Sequence, residues 1–185
     1  MTSYDSKPAR MPGDLPRAKL VDRILRVDHA GEFGAVRIYE GQLAVLGKRP
    51  EAETIREMAE KEREHLAAFE QLLPARQVRP TLLHPLWHTA GFALGAATAL
   101  LGTRAAMACT VAVEEVIDSH YAKQVEALGD DEPAIRALCE QTREDELEHR
   151  DTALAHGAAD APANRLLTAV VKASARTAIW LSERL

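Results

Sequence analysis

The feature that most constrains the fold of this chain is a pattern of two glutamates and a histidine that occurs twice, as EREH at 62–65 and as ELEH at 146–149. On an α-helix, side chains three residues apart lie on one face, so Glu62 and His65 point the same way while Glu64 points elsewhere. The other residues on that face are Ile55, Met58, Ala59, Leu66, Phe69 and Leu73. The sequence therefore predicts that Glu62 and His65 are buried in a helical core and that Glu64 is solvated.

The second copy of the pattern divides in the same way. Glu146 and His149 lie on a largely apolar face, whereas Glu148 and Asp145 fall on the charged side of the helix. The residues that share the face of Glu146 and His149 are Ile135, Leu138, Cys139, Thr142 and Ala153. We therefore expect the second pair to be buried beside the first.

Each copy follows, at a similar distance, a single glutamate that also lies on an apolar helical face. Glu32 precedes Glu62 by 30 residues, and Glu114 precedes Glu146 by 32. The neighbour of Glu114, Glu115, is rotated by about 100° around the helix and leaves the apolar face. The chain thus contains an internal repeat of two helix pairs, in which one helix brings a lone Glu and its partner brings Glu-x-x-His.

This repeat predicts a site for two metal ions. One Glu-x-x-His on its own is more often surface decoration, but two on apolar faces with matched preceding glutamates are hard to obtain by chance. Four buried carboxylates stay ionised only if cations offset their charge, and two divalent ions do so. The same ligand layout is general in ferritin-like di-iron and di-manganese bundles. The predicted ligands are Glu32, Glu62, His65, Glu114, Glu146 and His149.

The donor set also indicates which metal is bound and what surrounds it. Carboxylates with one imidazole per metal suit iron or manganese better than zinc, and bridging carboxylates are possible. Tyr39 and Tyr121 each follow a lone glutamate by seven residues, on the same helical face. They are either hydrogen-bond donors to the bridging carboxylates or ordinary core tyrosines.

The composition favours one all-α domain. The chain has 185 residues, of which 46% are hydrophobic and 4% aromatic, and no segment alternates with period two. Prolines and glycines divide it into about six helices, predicted at 16–46, 50–73, 85–101, 104–128, 133–157 and 162–185. We expect a flexible N-terminus at 1–15, without the apolar core of a secretory signal, followed by a single domain at 16–185.

Charge and cysteines narrow the function further. The net charge of −5 does not favour a nucleic-acid partner. Cys109 and Cys139 form no zinc-finger or redox spacing and are interpreted as core residues.

One segment, 81–103, contains no Asp, Glu, Lys or Arg. It is long enough to span a bilayer, but its histidines, proline and many alanines weaken that prediction. We favour a helix at 85–101 that dips into one membrane leaflet, with side chains such as Phe92 and Leu94 in contact with lipid. The alternative is a buried helix in the bundle or at a dimer interface, for which Gly91-x-x-x-Gly95 would allow close packing.

Several motifs together resemble the demethoxyubiquinone hydroxylase family, the membrane-associated di-iron monooxygenases of ubiquinone biosynthesis. They are RILRVDHAGEFGAVRIYEGQ (23–42), EKEREHL (60–66), AVEEVIDSHY (112–121), EDELEHRD (144–151) and LSERL (181–185). The resemblance covers nearly the whole chain from about Leu20. It implies a ferritin-like bundle with two iron ions on the six ligands named above, and it places Arg23, His120 and Tyr121 near the substrate head group or the iron ligands.

The resemblance also implies an activity and partners. The reaction would be O₂-dependent hydroxylation of a polyprenylated methoxy-methyl-benzoquinol, demethoxyubiquinol, at the cytoplasmic face of the bacterial cell membrane. A lipid-binding accessory protein and a homo-oligomer are the implied protein partners. Trp180 departs from the pattern, because many relatives have tyrosine there, which puts in doubt an electron-transfer role for a tyrosine at this position.

Other functions use the same ligands. A manganese catalase, a ferroxidase or a non-catalytic iron-storage protein is compatible with the metal site but has no evident need for the uncharged segment 81–103. A membrane scaffold that keeps the ligands as a vestige predicts no bound iron.

Overall fold

The structure, a computed structural model, describes Gly13 and residues 15–185, and it is all α-helical with no strand in that part of the chain. The helices are α1 (Arg17–Leu46), α2 (Ala52–Ala75), α3 (His84–Leu100), α4 (Thr103–Leu128), α5 (Pro133–Ala155) and α6 (Asn164–Ser182). The predicted all-α bundle of about six helices is confirmed. The segment predicted to be a flexible N-terminus, 1–15, lies outside the described residues apart from Gly13 and Leu15.

Proline and glycine set most of the helix ends, as predicted. Helix α4 ends before Gly129, whose φ of 52° is left-handed, and α5 begins at Pro133. Several ends differ from the prediction by one to three residues. Helix α2 continues through Pro74 to Ala75, and α6 begins at Asn164 because a 3₁₀ turn at Ala158–Asp160 takes up the preceding chain.

Helices α1, α2, α4 and α5 form the core of the bundle. Two groups of buried apolar side chains fill it, one at each end of the four helices. One group includes Tyr39, Leu46, Ile55, Met58, Met107, Val111 and Ala153. The other includes Val21, Leu25, Phe69, Leu73, Tyr121, Leu128, Ile135 and Cys139. The middle of the bundle, between these two groups, holds the carboxylates and histidines.

Helices α3 and α6 cover the bundle, with α3 on α1 and α6 on α4. The glycines of α3 make its close approach possible, because a Cβ at Gly95 would collide with the carbonyl oxygen of Ile38 and one at Gly41 with that of Phe92. The Gly-x-x-x-Gly motif therefore packs against a helix of the same bundle. None of the helices in the described residues is long and apolar enough to cross a membrane.

Helix α3 is partly exposed, and its outward side is apolar. The exposed large apolar residues of α3 and its two ends are Leu82, Leu86, Phe92, Leu100 and Leu101. Leu94, which we expected to face lipid with Phe92, is only half-buried and lines an internal cavity instead. Phe92 is thus exposed and Leu94 is not, and contact of either side chain with lipid stays a prediction.

Candidate metal centre

The six predicted ligands converge in the middle of the bundle, one from each of α1 and α4 and two from each of α2 and α5. All six side chains are buried. Their donor atoms form two groups whose members lie within 4.8 Å of one another. The groups are Glu32, Glu62, His65 and Glu146, and Glu62, Glu114, Glu146 and His149.

Two carboxylates, Glu62 and Glu146, belong to both groups. The sequence assigned one Glu-x-x-His pair to each half of the bundle and left bridging open. The structure places both glutamates of those pairs between the halves, where each can bridge two ions. Glu32 and Glu114 are each confined to one group, so with two ions bound Glu62 and Glu146 would be the bridging carboxylates and Glu32 and Glu114 the terminal ones.

Both histidines present the same ring nitrogen to the centre. His65 Nδ1 lies 3.5 Å from Glu32 Oε2 and 3.3 Å from Glu146 Oε1. His149 Nδ1 lies 3.0 Å from Glu62 Oε1 and 3.1 Å from Glu146 Oε2. Nδ1 is therefore the atom of each ring that is placed to coordinate an ion.

The electrostatics of the centre call for cations. Burial, and then the charges of neighbouring carboxylates, raise the pKa of Glu62 and of Glu114 well above the ordinary value. Burial opposes ionisation of Glu146 too, but the neighbouring imidazoles of His149 and His65 outweigh it and lower the pKa of Glu146 to about 2. Without cations, protons on the histidines and glutamates must offset the charge.

Unpaired donor atoms show that the residues fit a metal pair. Buried atoms without a hydrogen-bond partner include Glu32 Oε2, both carboxylate oxygens of Glu62, Glu114 Oε2, Glu146 Oε1 and His65 Nδ1. Leaving so many buried polar atoms unpaired is costly unless an ion coordinates them. Carboxylate oxygens with one imidazole nitrogen per group suit iron or manganese.

The two tyrosines hold the terminal carboxylates. The hydroxyl of Tyr121 donates to Glu32 Oε1 at 2.5 Å, and that of Tyr39 donates to Glu114 Oε1 at 3.4 Å. Each tyrosine thus reaches the lone glutamate of the other helix pair. Of the two alternatives that the sequence left open, these contacts favour hydrogen-bond donors, and the acceptors are the two glutamates that belong to one ligand group each.

Asp145 is a site residue that the sequence analysis missed. We placed it on the charged face of α5, yet its Oδ2 accepts a hydrogen bond from His65 Nε2 at 2.9 Å and lies 3.3 Å from Lys61 Nζ. This bond fixes a proton on Nε2 and leaves the Nδ1 lone pair for a metal. The position directly before Glu146 was the available signal, because a carboxylate there can reach a histidine on the neighbouring helix.

Asp28 was also missed, although it lies one turn before Glu32 on the same face. It is buried, and its Oδ1 accepts a hydrogen bond of 2.6 Å from Gln124 Nε2. The same amide nitrogen lies 2.8 Å from His120 Nε2. A charged residue at this position of an apolar face was the signal that the sequence offered.

The remaining predicted residues lie outside the two ligand groups. Arg23 and His120 line one cleft, on the side of the bundle where α1 meets α4. Trp180 is half exposed, and the guanidinium of Arg184 lies 4.1 Å from the centre of its ring. Glu64 and Glu148 are exposed, as predicted, and Glu115, which the sequence placed off the face of Glu114, is exposed too.

A larger apolar cavity lies between α1, α3, α4 and α6. Its volume is about 240 Å³, and nearly all of its lining is apolar. Gly31, next to Glu32, and Val113, next to Glu114, belong to its wall, as do Trp87 and Leu94 of α3. Val27 lines both this cavity and the cleft of Arg23 and His120.

Comparison with known proteins agrees with this geometry. The family described as Ubiquinone biosynthesis protein COQ7 matches residues 19–182. The 3-demethoxyubiquinol 3-hydroxylase of Rhodospirillum rubrum is 58% identical over 176 residues, which cover 95% of this chain and 83% of the relative. The mitochondrial NADPH-dependent 3-demethoxyubiquinone 3-hydroxylase of Homo sapiens is 52% identical over 169 residues, which cover 89% of this chain and 78% of the relative. The chain belongs to the COQ7 family of ubiquinone biosynthesis proteins.

Proposed function

We propose that this protein carries two iron ions and uses O₂ to hydroxylate the ring of demethoxyubiquinol in ubiquinone biosynthesis. The observation that carries the proposal is a buried carboxylate and histidine centre in a bundle that also holds an apolar cavity, whose wall includes the chain neighbours of Glu32 and Glu114. The names of the relatives, which are hydroxylases of this substrate, support the same reaction.

The cavity suits a quinol with a hydrophobic tail. Its lining comes from four helices and is almost free of polar atoms, as the isoprenoid end of such a substrate requires. Because Gly31 and Val113 each neighbour a terminal ligand along the chain, a ring at the inner end of the cavity would lie next to the centre. The isoprenoid tail would then extend between α3 and α6 toward the surface.

The protein's own residues prepare the centre for this chemistry. When bound, two iron ions supply the binding site for O₂ and the electrons for its reduction. The hydroxyls of Tyr39 and Tyr121 fix the terminal carboxylates Glu114 and Glu32, and Asp145 fixes the tautomer of His65. The apolar packing at both ends of the bundle keeps bulk water away from the reacting ring.

The exposed side of α3 supports attachment to a membrane surface. Leu86, Phe92 and Leu100 present apolar side chains outward on a helix that also forms one wall of the cavity. A substrate tail could pass from lipid into the cavity beside this helix without crossing water. We expect L86S/F92S/L100S to sediment less with liposomes than the unmodified protein, and equal sedimentation would contradict membrane attachment through α3.

Iron storage and a catalase or ferroxidase reaction are the rival functions. They need the metal ligands but not an apolar cavity. The decisive test is incubation of the iron-loaded protein with demethoxyubiquinol of short tail, NADPH or a chemical reductant, and O₂, followed by mass spectrometry. A product heavier by one oxygen atom, labelled from ¹⁸O₂, is expected. Iron uptake or peroxide breakdown without this product would overturn the proposed function.

A further inference from the structure

A polar group on one side of the metal centre breaks the internal symmetry of the bundle. Residues of α1 and α4 that are 82 positions apart in the sequence are equivalent in the internal repeat. The equivalent pairs are Glu32 and Glu114, Tyr39 and Tyr121, and the buried amides Gln42 and Gln124. At the same offset Asp28 corresponds to Thr110. His120 corresponds to Ile38. One half of the bundle thus has an acid, an amide and an imidazole where the other half has no acid and no imidazole.

The contacts of these residues differ in the same way. Gln42 donates only to the backbone carbonyl of Ala106, at 3.2 Å. Gln124 Nε2 has two hydrogens, and it lies 2.6 Å from Asp28 Oδ1 and 2.8 Å from His120 Nε2. Asp28 Oδ1 and His120 Nε2 are themselves 3.9 Å apart, so a small shift of either side chain brings them into direct contact.

The group extends from solvent to the neighbourhood of a terminal ligand. The side chain of His120 is 19% exposed and faces the cleft of Arg23, Lys123 and Glu183. Asp28 is buried and lies one helical turn from Glu32. Water can therefore reach the imidazole, whereas the carboxyl group is separated from solvent.

The buried acid is in the right state to hold a proton. Burial raises the pKa of Asp28 well above its ordinary value, and the hydrogen bond from Gln124 opposes that rise without cancelling it. Burial lowers the pKa of His120, so the imidazole is a weak base that gives up a captured proton readily. The groups around Asp28 are Glu32 and the thiol of Cys139, whose Sγ lies 3.7 Å from Asp28 Oδ2.

The proposed reaction needs a proton supply. A ring C–H bond, O₂, two electrons and two protons give a C–OH group and one water molecule. The six ligands are buried, and the cavity between α1, α3, α4 and α6 is apolar, so protons need a polar path through the protein.

We propose that Asp28, Gln124 and His120 form this path, with Asp28 as the proton donor on the Glu32 side of the centre. The carboxyl group of Asp28 releases its proton toward the oxygen atom that leaves as water. His120, protonated at Nε2 by water from the cleft, then returns a proton to Asp28 Oδ1. Gln124 positions the acid beside the imidazole and moves aside for the transfer. This inference rests on the proposed function.

The alternative is that Asp28 only anchors Gln124 and thereby joins α1 to α4. The matched pair Gln124→Met and Gln42→Met separates the two roles, because each removes a buried amide at equivalent positions and only one touches the path. Iron content and thermal unfolding of each iron-loaded variant show whether the bundle is intact.

We expect Asp28→Asn to bind two iron ions yet to lower kcat by about 100- to 10,000-fold, as loss of a proton donor does. Its solvent deuterium isotope effect should change, and more O₂ should end as hydrogen peroxide. Gln124→Met should behave similarly and Gln42→Met like the unmodified enzyme. His120→Ala should regain activity when imidazole is added, because the cleft gives imidazole access to the vacated position.

Two results would overturn the path. One is an Asp28→Asn enzyme with unchanged kcat and isotope effect. The other is a combination of two observations: imidazole does not restore the activity of His120→Ala, and Gln124→Met and Gln42→Met lower kcat equally. This second result also decides the case if Asp28→Asn loses iron. The unmodified protein serves as the reference in every assay. If the unmodified protein makes no hydroxylated quinol, the proposed function fails. If it makes this product and the variants have unchanged activity, only the proposed proton path fails.

Discussion

The ligand Glu62 and its neighbour Glu64 differ only in the direction that the helix gives them. Glu62 is buried with both carboxylate oxygens unpaired, and it belongs to both ligand groups. Glu64 is exposed, and its Oε2 lies 3.6 Å from Lys61 Nζ on the surface. Two carboxylates of equal chemistry thus have separate roles because one side chain faces the core.

Substitution of these two residues tests the assignment of faces. We expect Glu62→Ala to lose both iron ions and all hydroxylation, because it removes a ligand that the two groups share. Glu64→Ala should keep two iron ions per chain and its activity, since an exposed ion pair contributes at most about 1 kcal/mol. Iron analysis of the purified variants is the measurement, and equal iron loss from both would contradict the assignment.

Asp145 makes the two histidines unequal. It accepts a hydrogen bond from His65 Nε2, whereas the corresponding position before Glu62 holds Lys61, which offers no acceptor. An ion beside His65 would therefore have a ligand whose proton and ring orientation are fixed by a carboxylate.

We expect Asp145→Ala to lower the affinity for one of the two ions by about 10- to 100-fold, which is the usual effect of losing the hydrogen-bond partner of a ligating histidine. Asp151→Ala, at an exposed acid of the same helix that pairs with Arg150, is the control. Competition with a chelator, followed by the iron remaining per chain, measures both affinities. Loss of both ions in parallel, or of neither, would show that Asp145 does not act on one ion through His65.

At the scale of helices, the sequence predicted much of the fold because proline, glycine and apolar periodicity act locally. The end of α4 before Gly129 and the start of α5 at Pro133 follow from single residues. The sharing of Glu62 and Glu146 between two groups did not follow, because it depends on the distance between α2 and α5. Asp145 was missed for the same reason, since its partner lies on another helix.

Close packing of α3 on α1 is a property of this pair of helices that glycine controls. We expect Gly95→Ala to lower the free energy of unfolding by about 1–3 kcal/mol, because its Cβ would collide with the backbone carbonyl of Ile38. Gly34→Ala is the matched control. Its Cβ would meet no atom within 4 Å, and alanine is a better helix former by about 1 kcal/mol. Thermal unfolding should therefore move in opposite directions for the two variants, and a Gly95→Ala protein as stable as Gly34→Ala would contradict the close contact.

At the scale of the whole molecule, two similar halves enclose one metal centre and one cavity. Helices α3 and α6 cover α1 and α4 in the same way, and the cavity lies between the two covering helices. The sequence predicted the repeated ligands because their spacing is regular. It did not predict the cavity, whose wall combines residues from four helices, nor the polar group that distinguishes the two halves.

The charge of the centre couples the stability of the molecule to pH and metal. In the metal-free protein the raised pKa values of Glu62 and Glu114 mean that the folded state binds more protons than the unfolded state. Their stabilising contribution is complete below the unfolded pKa of about 4.3 and is lost as pH rises through the folded values. His65 has the same sign, because the neighbouring carboxylates of Glu146 and Glu32 outweigh burial and raise its pKa to about 11. Glu146, with a pKa of about 2, stays ionised above pH 5 in both states.

We therefore expect metal to stabilise the protein more at pH 8 than at pH 5. Metal ions compete with the protons that the metal-free centre retains, so binding strengthens as pH rises. Burial lowers the pKa of His29, a histidine away from the centre, to about 4. Such histidines make the protein more stable as pH rises, but they do so equally with and without metal. The measurement is Tm of iron-loaded and chelator-treated protein at pH 5, 6, 7 and 8, with the difference between the two forms taken at each pH. A difference that stays constant or shrinks with rising pH would mean that the buried carboxylates do not hold protons in the metal-free state.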